Sequence, residues 1–288
     1  MVYAAFRFIR ALSAFILCAS FASSCAHGET GWILPSTSII YGPGVITFDA
    51  AISKSLFVAD KLPMRLDNLS ITAPDGKKIN TINSFKLRRR SVFDLYFRQI
   101  GTYRVSVAVK EISATWKGKN GRDESIRGTV EQVLSKLPAD AEFVVLTERL
   151  HRNETFVTVG QPSDVAPVGS GLELGFVETD ASTFRVKGNG SRFVFLIDGK
   201  PAAKVLVTVT RGGMQWRDRV EAREFITDTA GQFSVDWPEA GFYLLDAQAI
   251  DDKTTIPKAK ERILTYTATF EVLPLRPTPP VIKRHVQP

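Results

Sequence analysis

The sequence predicts an all-β protein of two antiparallel, Ig-like β-sandwich domains joined by a connector that carries one short helix. Three observations predict it. Apolar residues alternate with polar ones at period two, as strands with one buried face require. Turn residues punctuate those runs, and one strand–corner–strand pattern occurs twice.

Tyr103, Val105, Val107 and Val109 alternate with Arg104, Ser106 and Ala108, and Val205, Val207 and Val209 alternate around Leu206 and Thr208. Pro74-Asp75-Gly76, Asp198-Gly199 and Asp228 with Ala230-Gly231 supply turns. Glycine provides positive φ in such turns, and aspartate accepts from its own turn's backbone. The one helical pattern covers 129–137, with Val130, Val133, Leu134 and Leu137 on one face. Thr129 and Gln132 fit a capping box, and Pro138 stops the run. Segments 142–146 and 155–159 read as short strands of the connector.

The repeated pattern aligns Phe93, Leu95, Phe97, Gly101, Tyr103 and Val105 with Phe233, Val235, Trp237, Gly241, Tyr243 and Leu245 at constant spacing. The glycine permits a sharp corner, and the tyrosine buries its ring while its hydroxyl ties the turn. The domains follow: 1–26 a signal peptide, 27–112 the N-terminal sandwich, 113–165 the connector, 166–273 the C-terminal sandwich. The last segment, 274–288, holds five prolines and cannot continue a sheet.

Arg7 and Arg10 precede an apolar run at 11–22 that is too short to span a bilayer. Ser24 and Ala26 are small residues suited to a cut before His27, so export is expected, into the periplasm for a bacterial chain. Cys25 is where a lipid would attach instead, but Ala22-Ser23-Ser24 lacks the bulky aliphatic of such sites, which favours cleavage after Ala26. Cys18 and Cys25 then both leave, and the mature fold depends on its core alone. No integral membrane span is expected after cleavage.

The 288 residues are 44% hydrophobic and 23% charged with a net charge of +7, a composition that excludes wholesale disorder and a multi-span membrane protein. A nucleophile elbow, a zincin helix, a phosphate-binding loop and a Cys-x-x-Cys pair are all missing from the sequence. A non-catalytic protein that binds no nucleic acid is expected.

From Asp198-Gly199-Lys200-Pro201 through Thr227-Asp228, Gly231-x-Phe233, Pro238 and Gly241-x-Tyr243, the chain resembles a carboxypeptidase-regulatory-like, transthyretin-like sandwich. That resemblance covers 170–273 and implies a seven-stranded module that rarely catalyses. A wider set of motifs includes His27 with Trp32-Ile33-Leu34-Pro35-Ser36, Ala73-Pro74-Asp75-Gly76 and Gly101-Thr102-Tyr103. Glu154-Thr155-Phe156-Val157-Thr158 and Gly171-Leu172-Glu173-Leu174 complete it. Together they resemble the DUF4198 family of bacterial exported proteins, at one time labelled periplasmic components of nickel or cobalt uptake. The resemblance implies a transport-associated role and carries no catalytic residues.

His27 is the candidate metal ligand. After cleavage its α-amine and imidazole would together chelate one Ni or Cu ion; the alternative is a solvent-exposed chain end. His151, between Glu148 and Glu154, is a candidate ligand or base, with a surface histidine the favoured reading. His285 lies in the tail as a bystander. Asp218, Glu221, Glu224 and Asp228, interleaved with Arg217, Arg219 and Arg223, read as a solvated ion-paired loop or edge strand. Lys86-Leu87-Arg88-Arg89-Arg90 would suit an anionic partner, but a charged edge that prevents strand pairing is favoured. Trp237 and Tyr243 read as core. The expected function is an accessory or binding role in metal uptake, its partner an outer- or inner-membrane transport component. The rivals are an adaptor that binds envelope partners through its sheet edges and an enzyme with an unrecognised site.

Overall fold

A computed structural model describes residues 29–178, 184, 186 and 190–274. The signal segment, His27 and the tail with His285 lie outside them. The first half runs β1 (Thr30–Pro35), β2 (Ile39–Ile40), β3 (Gly44–Ser53), β4 (Leu62–Pro63), β5 (Leu69–Thr72), β6 (Lys78–Ile79), β7 (Asn83–Lys86), β8 (Ser91–Phe97) and β9 (Gly101–Lys117). Then follow β10 (Asp123–Gly128), α1 (Val130–Lys136) and β11 (Glu142–Val159). The last part is β12 (Leu172–Phe176), β13 (Ser191–Ile197), β14 (Lys200–Pro201), β15 (Leu206–Arg211), β16 (Ala222–Ile226), β17 (Gln232–Val235), β18 (Gly241–Asp251) and β19 (Ala259–Val272). No described helix is long and apolar enough to cross a membrane.

The all-β sandwich architecture is as the alternation requires, with one large sheet shared between two small ones. The ten-stranded sheet has the order β16-β15-β18-β19-β11-β9-β5-β6, with β10 and β2 as side strands. A five-stranded sheet holds β1, β3, β4, β7 and β8, and a four-stranded sheet holds β12, β13, β14 and β17. Within the large sheet, β11 pairs antiparallel with β9 and parallel with β19.

The two small sheets cover opposite faces of the large one. Val157 and Val159 of β11 join Tyr103, Val105, Phe48 and Phe93 in the first core. Phe156, immediately before Val157, joins Phe270, Phe193 and Trp237 in the second. Neighbouring residues of a strand point to opposite faces, so β11 is buried on both sides. A third cluster, with Trp32, Ala51 and Leu56 against Leu244, carries the first small sheet onto the back of β18.

The expected boundary between 112 and 113 falls inside β9, and the expected connector does not stand apart. Segments 142–146 and 155–159 are two ends of β11, which runs 18 residues through the centre of the large sheet. The polar stretch between them looks like a loop because its charges are buried in pairs. Nor does Arg104 face solvent: it is 3% exposed, because the face of β9 opposite the valines is covered too.

The helix caps as expected. Thr129 Oγ1 accepts from Gln132 N, and Gln132 Oε1 accepts from Thr129 N, each at 3.2 Å. Only Val133 is fully buried; Val130 and Leu134 are exposed because the helix rests on a small cluster around Ile112 and Trp116. The repeated corner is real. Tyr103 and Tyr243 are buried, and their hydroxyls bond backbone four residues upstream, at Gln99 N and Glu239 O.

Candidate functional site

A cleft of about 340 Å³ opens on the second-core face of the large sheet. Its floor comes from β9, β11 and β19, and its rim from Ser170, Gly171, Asp198 and Thr255. Alternation from Phe156 puts Glu154, Arg152, Leu150 and Glu148 on this face, and the β9 register adds Arg104 and Lys110.

Two ionic groups line the cleft, and a third lies buried beside it and reaches it through Arg152. Glu148, fully buried, accepts from Lys110 Nζ at 2.9 Å, from Thr255 N at 2.6 Å and from Thr255 Oγ1 at 2.9 Å. Burial, the largest single influence, raises its carboxyl pKa, but the bonds from Lys110 and Thr255 together outweigh it and hold the carboxyl below the ordinary range. Arg262 is clamped between two carboxylates. Its Nε and Nη2 donate to Asp251 at 2.8 and 2.6 Å, while Nη2 and Nη1 donate to Asp198 at 2.7 and 3.3 Å. Asp198 sits at positive φ in the β13–β14 turn and also accepts from Gly171 N at 2.8 Å. This clamp fixes the turn of the small sheet to the large one. Arg262 lowers the carboxyl pKa of both aspartates, and their bonds raise its own.

The third group is the most deeply buried. Glu154 lies 3.5 Å from Arg104 and 3.6 Å from Arg152, and its Oε2 accepts from Tyr266 at 2.8 Å. Arg104 donates to Ala166 O at 2.7 Å and Arg152 to Ser170 O at 2.9 Å, so the 160–171 segment covers the seam. Burial above all, then Glu154, pushes the Tyr266 hydroxyl well above its usual pKa. Arg104 Nε and Nη2, Arg152 Nε and Glu154 Oε1 are buried without a hydrogen bond, which leaves ionic attraction as their compensation.

His151 faces away from this seam, on the same side as Val109 and Thr265. It is half-buried, so neither a surface residue nor a base held by a carboxylate. Arg127 Nη2 contacts its Nε2 and Thr265 Oγ1 its Nδ1. Arginine has only donors, so Nε2 accepts and the proton sits on Nδ1. Burial first, then Arg127 and Arg149, lowers its pKa from 6.5 to about 4 against the opposing pull of Glu111.

Of the two arginines that flank His151, Arg152 lies beside Glu154 at 3.6 Å. Period two sends Arg149 to the opposite face from Glu148. Of the acidic cluster, Glu221 is ion-paired with Arg217, Glu224 lies on β16, the outermost strand of the large sheet, and Asp228 accepts from Ala230 N and Gln232 N in its turn. Lys86 lies on the edge strand β7, and Arg88 and Arg89 lie in the turn after it. Sequence reasoning missed the seam entirely, since a charged residue among alternating valines looks like the solvent side of a strand. Among the described residues, no group of three or more His, Cys, Asp or Glu side chains is arranged to hold a metal ion.

The fold and seam define a class: an all-β protein whose stacked sheets are joined by buried ion pairs around a surface cleft. The chain belongs to the DUF4198 family, described as a domain of unknown function, whose profile matches residues 26–251. No curated protein matches it. Solved structures align over most of the chain at low similarity. A DUF4785 family protein from Legionella pneumophila has 10% identity over 83% of this chain and 55% of that one, at a TM-score of 0.24. The D0-D1 domain of Intimin has 12% identity over 83% of this chain and 96% of its own, at 0.21. Escherichia coli alpha-2-macroglobulin activated by porcine elastase has 10% identity over 84% of this chain and 31% of its own, at 0.19. The chain spans about half the length of the Legionella protein.

Proposed function

We propose that this protein is a non-catalytic exported binding protein, an accessory to uptake of a transition-metal ion or metal complex across the bacterial envelope. One observation carries the binding reading. The cleft's polar side chains are held by ion pairs on three adjacent strands, so its walls are set before a ligand arrives. Arg262, Glu148 and Glu154 are committed to partners, which suits recognition better than proton transfer. The metal reading rests on His27, outside the described residues, as a Ni or Cu ligand through its imidazole and a freed α-amine. The transport component it would serve lies in the inner or outer membrane.

The test is elemental analysis and native mass spectrometry of protein purified from its own host, with the N-terminus sequenced. The expected result is stoichiometric nickel or copper, lost in His27→Ala, on a chain that begins at His27. A small molecule retained by the wild type and lost in Ala108→Trp, which fills the cleft, supports binding there. A chain free of metal and ligand that co-purifies with a membrane receptor overturns the proposal in favour of an adaptor.

A further inference from the structure

The β7–β8 hairpin is an unexplained surface. Its edge strand is exposed at all four positions, and the turn that follows closes through Leu87 N donating to Arg90 O at 2.9 Å. Phe85 is 61% exposed, Leu87 48% and Ile82, just before the strand, 54%. Among the described residues, Lys86, Arg88 and Arg89 have no acidic partner, and Arg90 reaches Asp49 at 3.3 Å. The other acid of this face, Asp94, is occupied by Thr47 Oγ1 at 2.7 Å and Asn83 Nδ2 at 3.1 Å. Register puts Phe85 beside Val92 on the outer face, where Tyr96, with Arg98 stacked 5.3 Å from its ring centre, extends it toward exposed Val45.

Protection of an edge explains part of this. A four-residue strand with a lysine on its core-facing side is poorly suited to accept another strand. It does not explain an exposed phenylalanine and leucine beside three further arginines. Large apolar side chains interleaved with long cations on a protruding turn are the combination that lies at a lipid interface. The rings and alkyl groups enter the acyl boundary, and the cationic heads stay among phosphates.

We propose that the β7–β8 hairpin docks this protein on an anionic phospholipid surface. Charge complementarity selects that occupant: unpaired cations crowd one tip, and the acids nearby are already bound. The surface is separate from the cleft and does not depend on what the cleft holds.

The test is co-sedimentation of the host-purified protein with vesicles of phosphatidylcholine alone or containing phosphatidylglycerol. Binding is expected only to the second kind and should weaken as salt rises. Arg88→Glu with Arg89→Glu should reduce partitioning by about tenfold or more. Phe85→Ser with Leu87→Ser should reduce it at every salt concentration. Both variants change exposed side chains, so their unfolding curves should match the wild type. Equal binding to both vesicle types, or unchanged binding by the charge-reversed variant, overturns the proposal. So does failure to bind either vesicle while an acidic envelope protein is captured through the same arginines.

Discussion

Tyr103 and Tyr243 occupy the same place in two corners of one fold, yet their hydroxyls work in opposite senses. Tyr103 accepts from Gln99 N at 2.8 Å and Arg98 N at 3.3 Å, whereas Tyr243 donates to Glu239 O at 2.8 Å. Each ring meets an aromatic partner edge-on: Phe97 at 4.8 Å and Trp237 at 4.9 Å. In both cases a small-sheet strand turns through a positive-φ glycine, Gly101 or Gly241, into the shared sheet. Tyr103→Phe and Tyr243→Phe should each cost about 1 kcal/mol in urea denaturation, and the double variant about the sum, because the corners belong to separate cores. A double cost well above the sum would show that the corners are coupled.

Glu154→Gln should be far more costly. It leaves Arg104 and Arg152 buried without a counter-charge, and breaking a buried pair this way costs about 3–5 kcal/mol. Tyr266→Phe removes one hydrogen bond to the same carboxylate and should cost about 1–3 kcal/mol. Equal midpoints for wild type and Glu154→Gln in chemical denaturation would contradict the seam's structural role.

His151 predicts a pH dependence. Its folded pKa of about 4 lies below the ordinary 6.5. Between those values the unfolded chain binds the proton and the folded chain does not. Its contribution is therefore full above the unfolded value and is lost as pH falls toward the folded one. Stability measured across that window should slope downward with acid in the wild type and flatten in His151→Asn. Parallel slopes would count against it.

Gly231 is constrained by space as well as by conformation. At φ +74° a Cβ there would lie 2.6 Å from Phe195 O and 2.9 Å from Ala202 N. Gly231→Ala should cost roughly 2–4 kcal/mol, strain plus overlap. Gly76, at φ +81° with nothing within 4 Å of its Cβ position, serves as the control. Gly76→Ala should cost only the strain, roughly 1–2 kcal/mol. Thermal unfolding of the two variants separates the contributions.

Much of the local structure was written in short range. The Thr129/Gln132 box, the turns at Gly76, Gly199 and Gly231 and the doubled corner depend on neighbours within a few residues. They formed where the sequence placed them. The limits of the strands were less readable. Glu-Arg-Leu-His-Arg-Asn-Glu has no apolar alternation, so nothing local marks it as the middle of an 18-residue strand.

The sequence by itself determined the β class, the corners, the helix and its cap, because each depends on period, sterics or a side chain reaching its own backbone. Only the tertiary structure decided that one sheet serves both halves and that β11 is covered on both faces. It alone brought Arg104 of β9, Glu154 and Arg152 of β11 and Tyr266 of β19 together. A charge is stable inside a protein only beside its partner, and those partners come from strands far apart in the chain. Alternation reports which residues share a face. Whether that face meets water or another sheet is settled by what packs over it.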